Sequence, residues 1–224
     1  MMRDVRTSSL ELRGLVVDWG GVLTTALQAS VGRWADEVDI ELATFREVMR
    51  DWLGSEGDQL LAVNPIHALE RGEIAVPHFE EQLAARLRTR AGAPVPAAGL
   101  LERMFRHFEH APDMAGLVRR AKASGLRTAL LSNSWGNDYP REGWEEMFDV
   151  VVISGEVGMR KPEPRIFEHT VGLLGLQPAE CVFVDDLPSN VEAAVALGMV
   201  GVRHMAYDTT AEELEALFDR HLRD

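Results

Sequence analysis

Short apolar runs alternate with helical patterns from Pro112 to the C-terminus, and this alternation limits the possible folds more than any other feature. The apolar runs cover residues 128–131, 150–153, 182–184 and 199–203. Strands that alternate with helices form parallel sheets, because each crossover between parallel strands needs a long connection that a helix usually supplies. The sequence therefore predicts an α/β fold built on a parallel sheet.

One apolar run and a long helical block precede this alternating part. The run at residues 15–17 ends at Asp18. Between residues 26 and 108, apolar residues recur every three or four positions with charged residues between them, as in amphipathic helices. A block of this length after a single strand indicates an insertion. We therefore predict a core from residues 1–25 and 109–224, and a helical cap from residues 26–108.

Composition excludes several classes of partner. The formal charge of −13, without a basic patch, argues against nucleic acid, although a site for a small anion can still be locally positive. No apolar run reaches the length of about 18 residues that a membrane span needs. The single cysteine, Cys181, lies in an apolar run and is expected to be a buried, unpaired thiol. These features favour a cytoplasmic protein that contacts neither nucleic acid nor membrane.

Polar residues follow the predicted strands or open the helices after them. These residues are Asp18, Ser132, Asn133, Lys161, Asp185 and Asp186. Each alone has a common structural explanation, such as a turn residue, a solvated lysine or a helix cap. Ligands of open α/β sheets bind beyond the carboxyl ends of the strands, so we expect these side chains to converge. Together they supply a nucleophilic acid, a hydroxyl, a cation and further carboxylates, which suit phosphoryl transfer.

The ordered set resembles the haloacid dehalogenase superfamily of aspartate-nucleophile phosphatases and their relatives. The likeness covers the whole chain, with D-W-G-G-V-L at residues 18–23, K-P-E-P-R-I-F at 161–167 and V-D-D-L-P-S-N at 184–190. The first and last motifs look most like the branch of epoxide-hydrolase N-terminal-domain-like phosphatases. The resemblance implies a Rossmann-like three-layer core, an inserted helical cap, a small-molecule phosphate substrate and Mg²⁺ as cofactor.

Three residues match the metal-binding positions of that superfamily. The resemblance implies that Asp18 is the nucleophile, which becomes an aspartyl-phosphate, and that it also binds Mg²⁺. Gly20 matches the residue whose backbone carbonyl binds the metal, and Asp186 matches the main acidic ligand. Carboxylate and carbonyl oxygens are the ligands that Mg²⁺ prefers.

The remaining matches concern the phosphate and its charge. Ser132 matches the phosphate-binding hydroxyl, and Asn133 and Gly21 are expected beside the same group. Lys161 matches the catalytic lysine that holds the nucleophile and the phosphoryl oxygens. Asp185 is expected in a supporting role, orienting Lys161 or a metal-bound water.

Gly20 departs from the phosphatase pattern, in which a second aspartate at this position serves as acid and base. Losing such a group typically lowers the rate about 10²–10⁴-fold. The enzyme could use substrates with good leaving groups, a group from the cap could substitute, or the chain could be an impaired phosphate-binding protein. His67, Glu70 and Arg71 are our predictions for substrate contact or a replacement acid, although a solvated helix face also explains them.

Two related chemistries fit the sequence less well. Phosphonate-cleaving relatives need a lysine in the cap, but the only lysines are Lys122 and Lys161, which lie outside residues 26–108. Metal-free haloacid dehalogenases usually carry Ser and Asn in place of the acidic pair Asp185–Asp186. We therefore predict a Mg²⁺-dependent phosphohydrolase, and an exposed apolar cap face could support a homodimer.

Overall fold

In the part of the chain that the structure describes, five parallel strands form one sheet, in the order β3-β2-β1-β4-β5. The computed structural model describes residues 11–25, 27–53, 64–136 and 138–224. The strands are β1 Gly14–Val17, β2 Arg127–Ser132, β3 Val150–Ile153, β4 Cys181–Asp185 and β5 Val200–Arg203. The predicted α/β fold with a parallel sheet is confirmed.

The helices connect these strands and fill the long segment between β1 and β2. In chain order they are α1 Leu27–Glu37, α2 Leu42–Leu53, α3 Pro65–Glu70, α4 Val76–Arg86, α5 Leu100–Phe105, α6 Pro112–Ala123, α7 Trp144–Met147, α8 Ser154–Val157, α9 Pro164–Leu174, α10 Pro188–Ala196 and α11 Tyr207–Phe218. Proline stands in the first turn of α3, α4, α6, α9 and α10, where its missing N–H leaves no helical hydrogen bond unmade. No described helix is long and apolar enough to cross a membrane.

The central strand β1 is buried on both faces, which explains its continuous apolar sequence. Leu15 and Val17 belong to a hydrophobic cluster with α6 and α11, whereas Val16 belongs to the opposite cluster with α9 and α10. The helices therefore cover both faces of the sheet, as a three-layer core requires. Cys181 is free and buried in the second of these clusters, as predicted, and burial raises the pKa of its thiol to about 12.

Helices α1 to α5 form the helical insertion, by which we mean the described residues 27–53 and 64–108. They share a hydrophobic cluster of their own, with buried side chains that include Trp34, Phe79, Leu83 and Leu100. Residues 26 and 54–63 of the predicted cap lie outside the described residues. The boundaries of a separate cap domain stay a prediction.

The insertion is less helical than its sequence pattern indicates. The pattern extends one helix to the break at Gly92, but α4 ends at Arg86 because the next residue, Leu87, has an extended backbone. Arg88 then pairs with Pro94 in an isolated antiparallel bridge, and a second bridge joins Ile40 to Thr89. The prediction that this block contains only helix was therefore wrong at these short extended pairs.

Candidate active site

The carboxyl ends of β1 and β4 bring two acids to the same level of the sheet. Val17 pairs with Val184 in parallel register, so Asp18 and Asp185 follow at equivalent positions on neighbouring strands. The backbone N–H of Asp18 donates to the Val184 carbonyl at 2.9 Å. This pairing fixes the Asp18 backbone as a continuation of the buried strand.

Lys161 lies between these two carboxylates. Its Nζ atom is 2.7 Å from Oδ1 of Asp18 and 2.6 Å from Oδ2 of Asp185. The side chain is 1% exposed, which is rare for a lysine and requires charged partners. Burial alone would lower the pKa of Lys161, but the two carboxylates raise it above its ordinary value, so the amine stays protonated. The prediction that Lys161 lies next to Asp18 agrees with this geometry.

Asp185 uses both of its carboxylate oxygens in hydrogen bonds. Besides the Lys161 ammonium, they accept from the Leu187 backbone N–H at 2.9 Å and from Nδ2 of Asn190 at 3.0 and 3.1 Å. Such a fully bonded carboxylate is suited to orienting Lys161. Asn190 is not among the site residues that the sequence predicts, although an asparagine in the first turn of the helix after a strand-end acid is a usable signal.

Asp186 completes a cluster of three acids. One carboxylate oxygen each from Asp18, Asp185 and Asp186 lies within 4.8 Å of the others. Burial raises the pKa of Asp18 to about 7, with Lys161 lowering it and Asp185 raising it further. Burial, and then Asp185, raise the pKa of Asp186 to about 6. Three carboxylates thus lie together against the Lys161 ammonium and the Arg203 guanidinium, which also lowers the pKa of Asp186. The remaining excess of negative charge, with hard oxygen donors, fits a divalent cation such as Mg²⁺.

The two glycines after Asp18 have different surroundings. A Cβ atom on Gly20 would meet no atom within 4 Å, so a side chain has room there. A Cβ atom on Gly21, whose φ is +76°, would lie 2.6 Å from Oδ2 of Asp186. Gly21 is therefore needed for Asp186 to approach the loop. Its amide donates to Oγ1 of Thr24 at 3.1 Å, and its contact with substrate stays a prediction.

The two polar residues at the end of β2 are held by neighbouring loops. The hydroxyl of Ser132 is 2.9 Å from the hydroxyl of Tyr139, and both residues are buried. The Asn133 side chain binds the backbone of Lys161 twice, accepting from its N–H at 2.8 Å and donating to its carbonyl at 3.0 Å. Asn133 thus fixes the segment that carries Lys161, a role that the sequence did not indicate. Substrate contacts of Ser132 and Asn133 stay predictions.

The helical insertion meets the core at the end of α3. The Glu70 carboxylate pairs with the Arg160 guanidinium and accepts from Nε1 of Trp135 at 3.1 Å. Arg71 Nη1 is 3.1 Å from Oε1 of Glu163. Both residues had been predicted to contact substrate or to replace the missing acid, but here each forms ion pairs with protein. The same prediction for His67 stays open.

Gly72, the residue after Arg71, brings the backbone of the insertion into direct contact with the backbone of the core. Gly72 has a φ of +68°, and a Cβ atom there would lie 2.7 Å from the carbonyl oxygen of Gly155. Only glycine combines this backbone conformation with so close an approach.

Comparison with known protein families identifies the class of this fold and site. The family model for haloacid dehalogenase-like hydrolases matches residues 12–198, which contain all the residues of the predicted site. The chain belongs to this family of hydrolases. The superfamily predicted from the ordered motifs is therefore confirmed, and so is the prediction of a hydrolytic enzyme.

Three curated relatives cover nearly the whole chain. "Sesquiterpene phosphatase astK" of Aspergillus oryzae is 36% identical over 92% of this chain and 96% of its own length. "Acyl-CoA dehydrogenase family member 10" of Mus musculus is 30% identical over 99% of the chain. "Bifunctional epoxide hydrolase 2" of Rattus norvegicus is 28% identical over 92% of the chain, in agreement with the predicted branch. The chain spans only 21% of the mouse protein and 39% of the rat protein.

Solved structures show the same fold. A HAD family enzyme from Bacteroides thetaiotaomicron, in complex with magnesium and inorganic phosphate, aligns with a TM-score of 0.62 at 20% identity. The alignment covers 87% of this chain and 95% of that one. At this identity the likeness establishes the fold and leaves the chemistry of the site to be argued from its own residues.

Proposed function

We propose that the protein is a Mg²⁺-dependent phosphohydrolase that acts on a small phosphorylated metabolite through an aspartyl-phosphate on Asp18. The observation that carries this proposal is the buried ammonium of Lys161, which bridges Asp18 and Asp185 beside Asp186. A nucleophilic acid, a fixed cation and further carboxylates are the groups that phosphoryl transfer to an acid requires. The phosphatase names among the relatives support the same reaction class.

In the first step, an oxygen of Asp18 forms a bond to phosphorus while the bond from phosphorus to the leaving oxygen breaks. Lys161 holds the Asp18 carboxylate and its positive charge offsets the charge that develops on the phosphoryl oxygens. The oxygen of a water molecule then bonds to phosphorus while the bond between phosphorus and the Asp18 oxygen breaks. Asp18 is restored as a carboxylate, and the two protons of the water leave with inorganic phosphate. Ser132 is placed by its bond to Tyr139 at the end of the neighbouring strand, where it can bind a phosphoryl oxygen.

We propose that Asp18, Asp186 and the backbone carbonyl of Gly20 would hold the Mg²⁺ ion, with Asp185 reserved for Lys161. Bound there, the ion would supply positive charge to the phosphoryl oxygens. One carboxylate oxygen each from Asp18, Asp185 and Asp186 lies within 4.8 Å of the others, which supports a cation at this place.

Gly20 supplies no acid for the leaving group, so we propose substrates whose leaving groups need little protonation, such as acyl or aryl phosphates. We further propose that residues 26–108 act as the cap over the site that residues 1–25 and 109–224 form, and that this cap selects the substrate. A cytoplasmic location, a homodimer and the absence of a nucleic acid partner stay predictions.

The test is hydrolysis of an aryl phosphate by the wild-type protein and by Asp18→Asn, with Mg²⁺ and with a chelator. We expect turnover that needs the metal and that Asp18→Asn abolishes. Equal rates for the two proteins would overturn the proposal. When the wild-type reaction with a ³²P-labelled acyl phosphate is quenched with acid, we expect label to be trapped on the protein. The same experiment with Asp18→Asn is expected to trap no label.

A second candidate function is phosphate binding without turnover, which the glycine at position 20 favours. This alternative predicts that orthophosphate binds to the wild type in a Mg²⁺-dependent way while no aryl or acyl phosphate is hydrolysed. A metal-free dehalogenase is less well supported, because Asp186 adds a third carboxylate to the site. Halide release in the presence of a chelator would identify it.

A further inference from the structure

Two ion pairs join the helical insertion to the segment that carries Lys161. Arg160, the residue before Lys161, pairs with Glu70 at the end of α3, and Arg71 pairs with Glu163. Glu163 also belongs to the same turn as Lys161, since its backbone N–H donates to the Arg160 carbonyl at 2.9 Å. The insertion therefore holds this segment by side chains on both sides of the lysine.

The pair between Glu70 and Arg160 is the better shielded of the two. The side chains of Glu70 and Arg160 are 8% and 13% exposed, against 20% and 26% for Arg71 and Glu163. The second oxygen of Glu70 accepts from the Trp135 indole, so the carboxylate has partners at both oxygens. Removing one member of such a pair leaves a poorly solvated charge, and the other member then moves towards water.

Movement of Arg160 would be transmitted directly to Lys161. The Lys161 backbone is held from the core by Asn133, while its side chain extends to Asp18 and Asp185. Arg160 is the point at which this same segment is tied to the insertion. The lysine is thus placed by two anchors, one from each part of the molecule.

We propose that Glu70 is a positioning residue, which acts through Arg160 to hold the Lys161 ammonium against Asp18 when the insertion is docked on the core. Glu70 would thereby make the placement of the Lys161 ammonium depend on the position of the insertion. The catalytic consequence rests on the phosphohydrolase function proposed above, whereas the structural consequence for Lys161 does not.

The chain contains only two lysines, which allows a direct measurement of Lys161. In protein labelled with ¹³C and ¹⁵N in lysine alone, NMR of the side-chain ammonium and the adjacent Cε gives two sets of signals. Lys122 provides the internal reference, since its Nζ atom donates to the carbonyls of Glu145 and Phe148, away from Glu70. The substitution Lys122→Arg assigns the pair.

The variants are Glu70→Gln, Arg160→Gln and the two combined. Glutamine keeps an oxygen for the Trp135 indole, but it removes the charge and places an NH₂ donor where the carboxylate accepted from Arg160. Glu80→Gln is the matched control, because Glu80 is also buried in the insertion but its carboxylate accepts from the backbone amides of Gly99 and Leu101, which lie in the insertion as well. We expect both single substitutions to shift the Lys161 signals and speed exchange of its ammonium protons, whereas Glu80→Gln leaves them unchanged.

Kinetics with an aryl phosphate supply the second measurement. We expect Glu70→Gln and Arg160→Gln each to lower kcat about tenfold or more while KM changes less than about threefold, because the loss falls on the placement of a reacting group. The kcat of the double variant is expected to be no lower than that of either single variant, because two residues that act as a unit have non-additive effects.

The outcomes separate this inference from the proposed function. If Glu70→Gln lowers the melting temperature but leaves the Lys161 signals unchanged, Glu70 only stabilises the fold, and the inference is overturned. Shifted Lys161 signals in a wild-type protein that hydrolyses no phosphate would overturn the proposed function and leave the positioning role intact. Additive effects in the double variant would overturn the path through Arg160.

Discussion

The ammonium of Lys161 lies 2.7 Å from the carboxylate of Asp18, in a place where the lysine side chain is 1% exposed. A charge pair of this kind is strong only when both partners are held, because each has lost its hydration. The surrounding bonds to Asp185 and Asn133 hold Lys161 in this way. The behaviour of the site therefore depends on a small number of fixed charges.

Replacing Lys161 by glutamine is expected to lower kcat for an aryl phosphate by about 10²–10³-fold, because a positive charge aimed at the reacting group is lost. Lys122→Gln is the matched control and is expected to keep at least half of the wild-type kcat. Circular dichroism of both variants is the check that they are folded. A kcat within threefold of wild type for Lys161→Gln would contradict a catalytic role.

Gly20→Asp is expected to raise the rate for alkyl phosphates, whose leaving groups need a proton, by about 10²–10⁴-fold. A Cβ atom at this position meets no atom within 4 Å, so we expect the variant to fold. Gly20→Asn has nearly the same shape without the acid and serves as the control. Equal rates in the two variants would show that the added carboxyl does not reach the leaving group.

Gly21→Ala is expected to weaken Mg²⁺ binding about 10–100-fold, the usual loss when a neighbour of a metal ligand is disturbed. The added Cβ would lie 2.6 Å from the Asp186 carboxylate, and a φ of +76° disfavours alanine as well. Gly20→Ala adds the same methyl group to open space and is the control. Isothermal titration of Mg²⁺ into both variants measures the difference, and equal affinities would contradict the placement of Asp186 in the metal site.

Asp18→Asn is expected to make the metal-free protein more stable than wild type at pH 8, but not at pH 5. The folded protein binds the Asp18 proton more tightly than the unfolded chain does, since burial raises the pKa from 3.8 to about 7. The stability that this group contributes is therefore present at low pH and falls as the pH rises through about 7. Asparagine does not ionise and avoids the loss.

Guanidinium denaturation at the two pH values, with a chelator present, measures this effect. Glu213→Gln, which removes a solvent-exposed carboxylate, is the control and should change stability little at either pH value. Added Mg²⁺ should restore the wild type at pH 8 and leave Asp18→Asn nearly unaffected, because the cation needs the ionised carboxylate. A pH-independent difference would contradict a raised pKa for Asp18.

The sequence predicts the residues at the ends of the strands well, for a geometric reason. Parallel strands in register place their final residues side by side, so the apolar runs before Asp18 and Asp185 are enough to bring these acids together. Burial on both faces makes such runs continuous and easy to recognise. The α/β fold and the neighbourhood of the acids could therefore be predicted without a structure.

The contacts that loops and the insertion make with the core could not be predicted in the same way. The pairing of Glu70 with Arg160 and of Ser132 with Tyr139 depends on how loops without periodic patterns fold back on the core. A charged residue at a helix end has the same sequence signature whether it is solvated or paired. This ambiguity is why the sequence leaves Glu70 open between substrate contact, a replacement acid and a solvated helix face, whereas the structure pairs it with Arg160.

The contact between Gly72 and the Gly155 carbonyl, which involves no side chain, limits how near the insertion can lie to the core. Main chain has the same thickness in every protein, so no exchange of side chains can bring these parts nearer at this spot. A single methyl group on Gly72 would push the end of α3 away from Gly155. A closer fit between insertion and core at this place would therefore need a change in the path of the main chain itself.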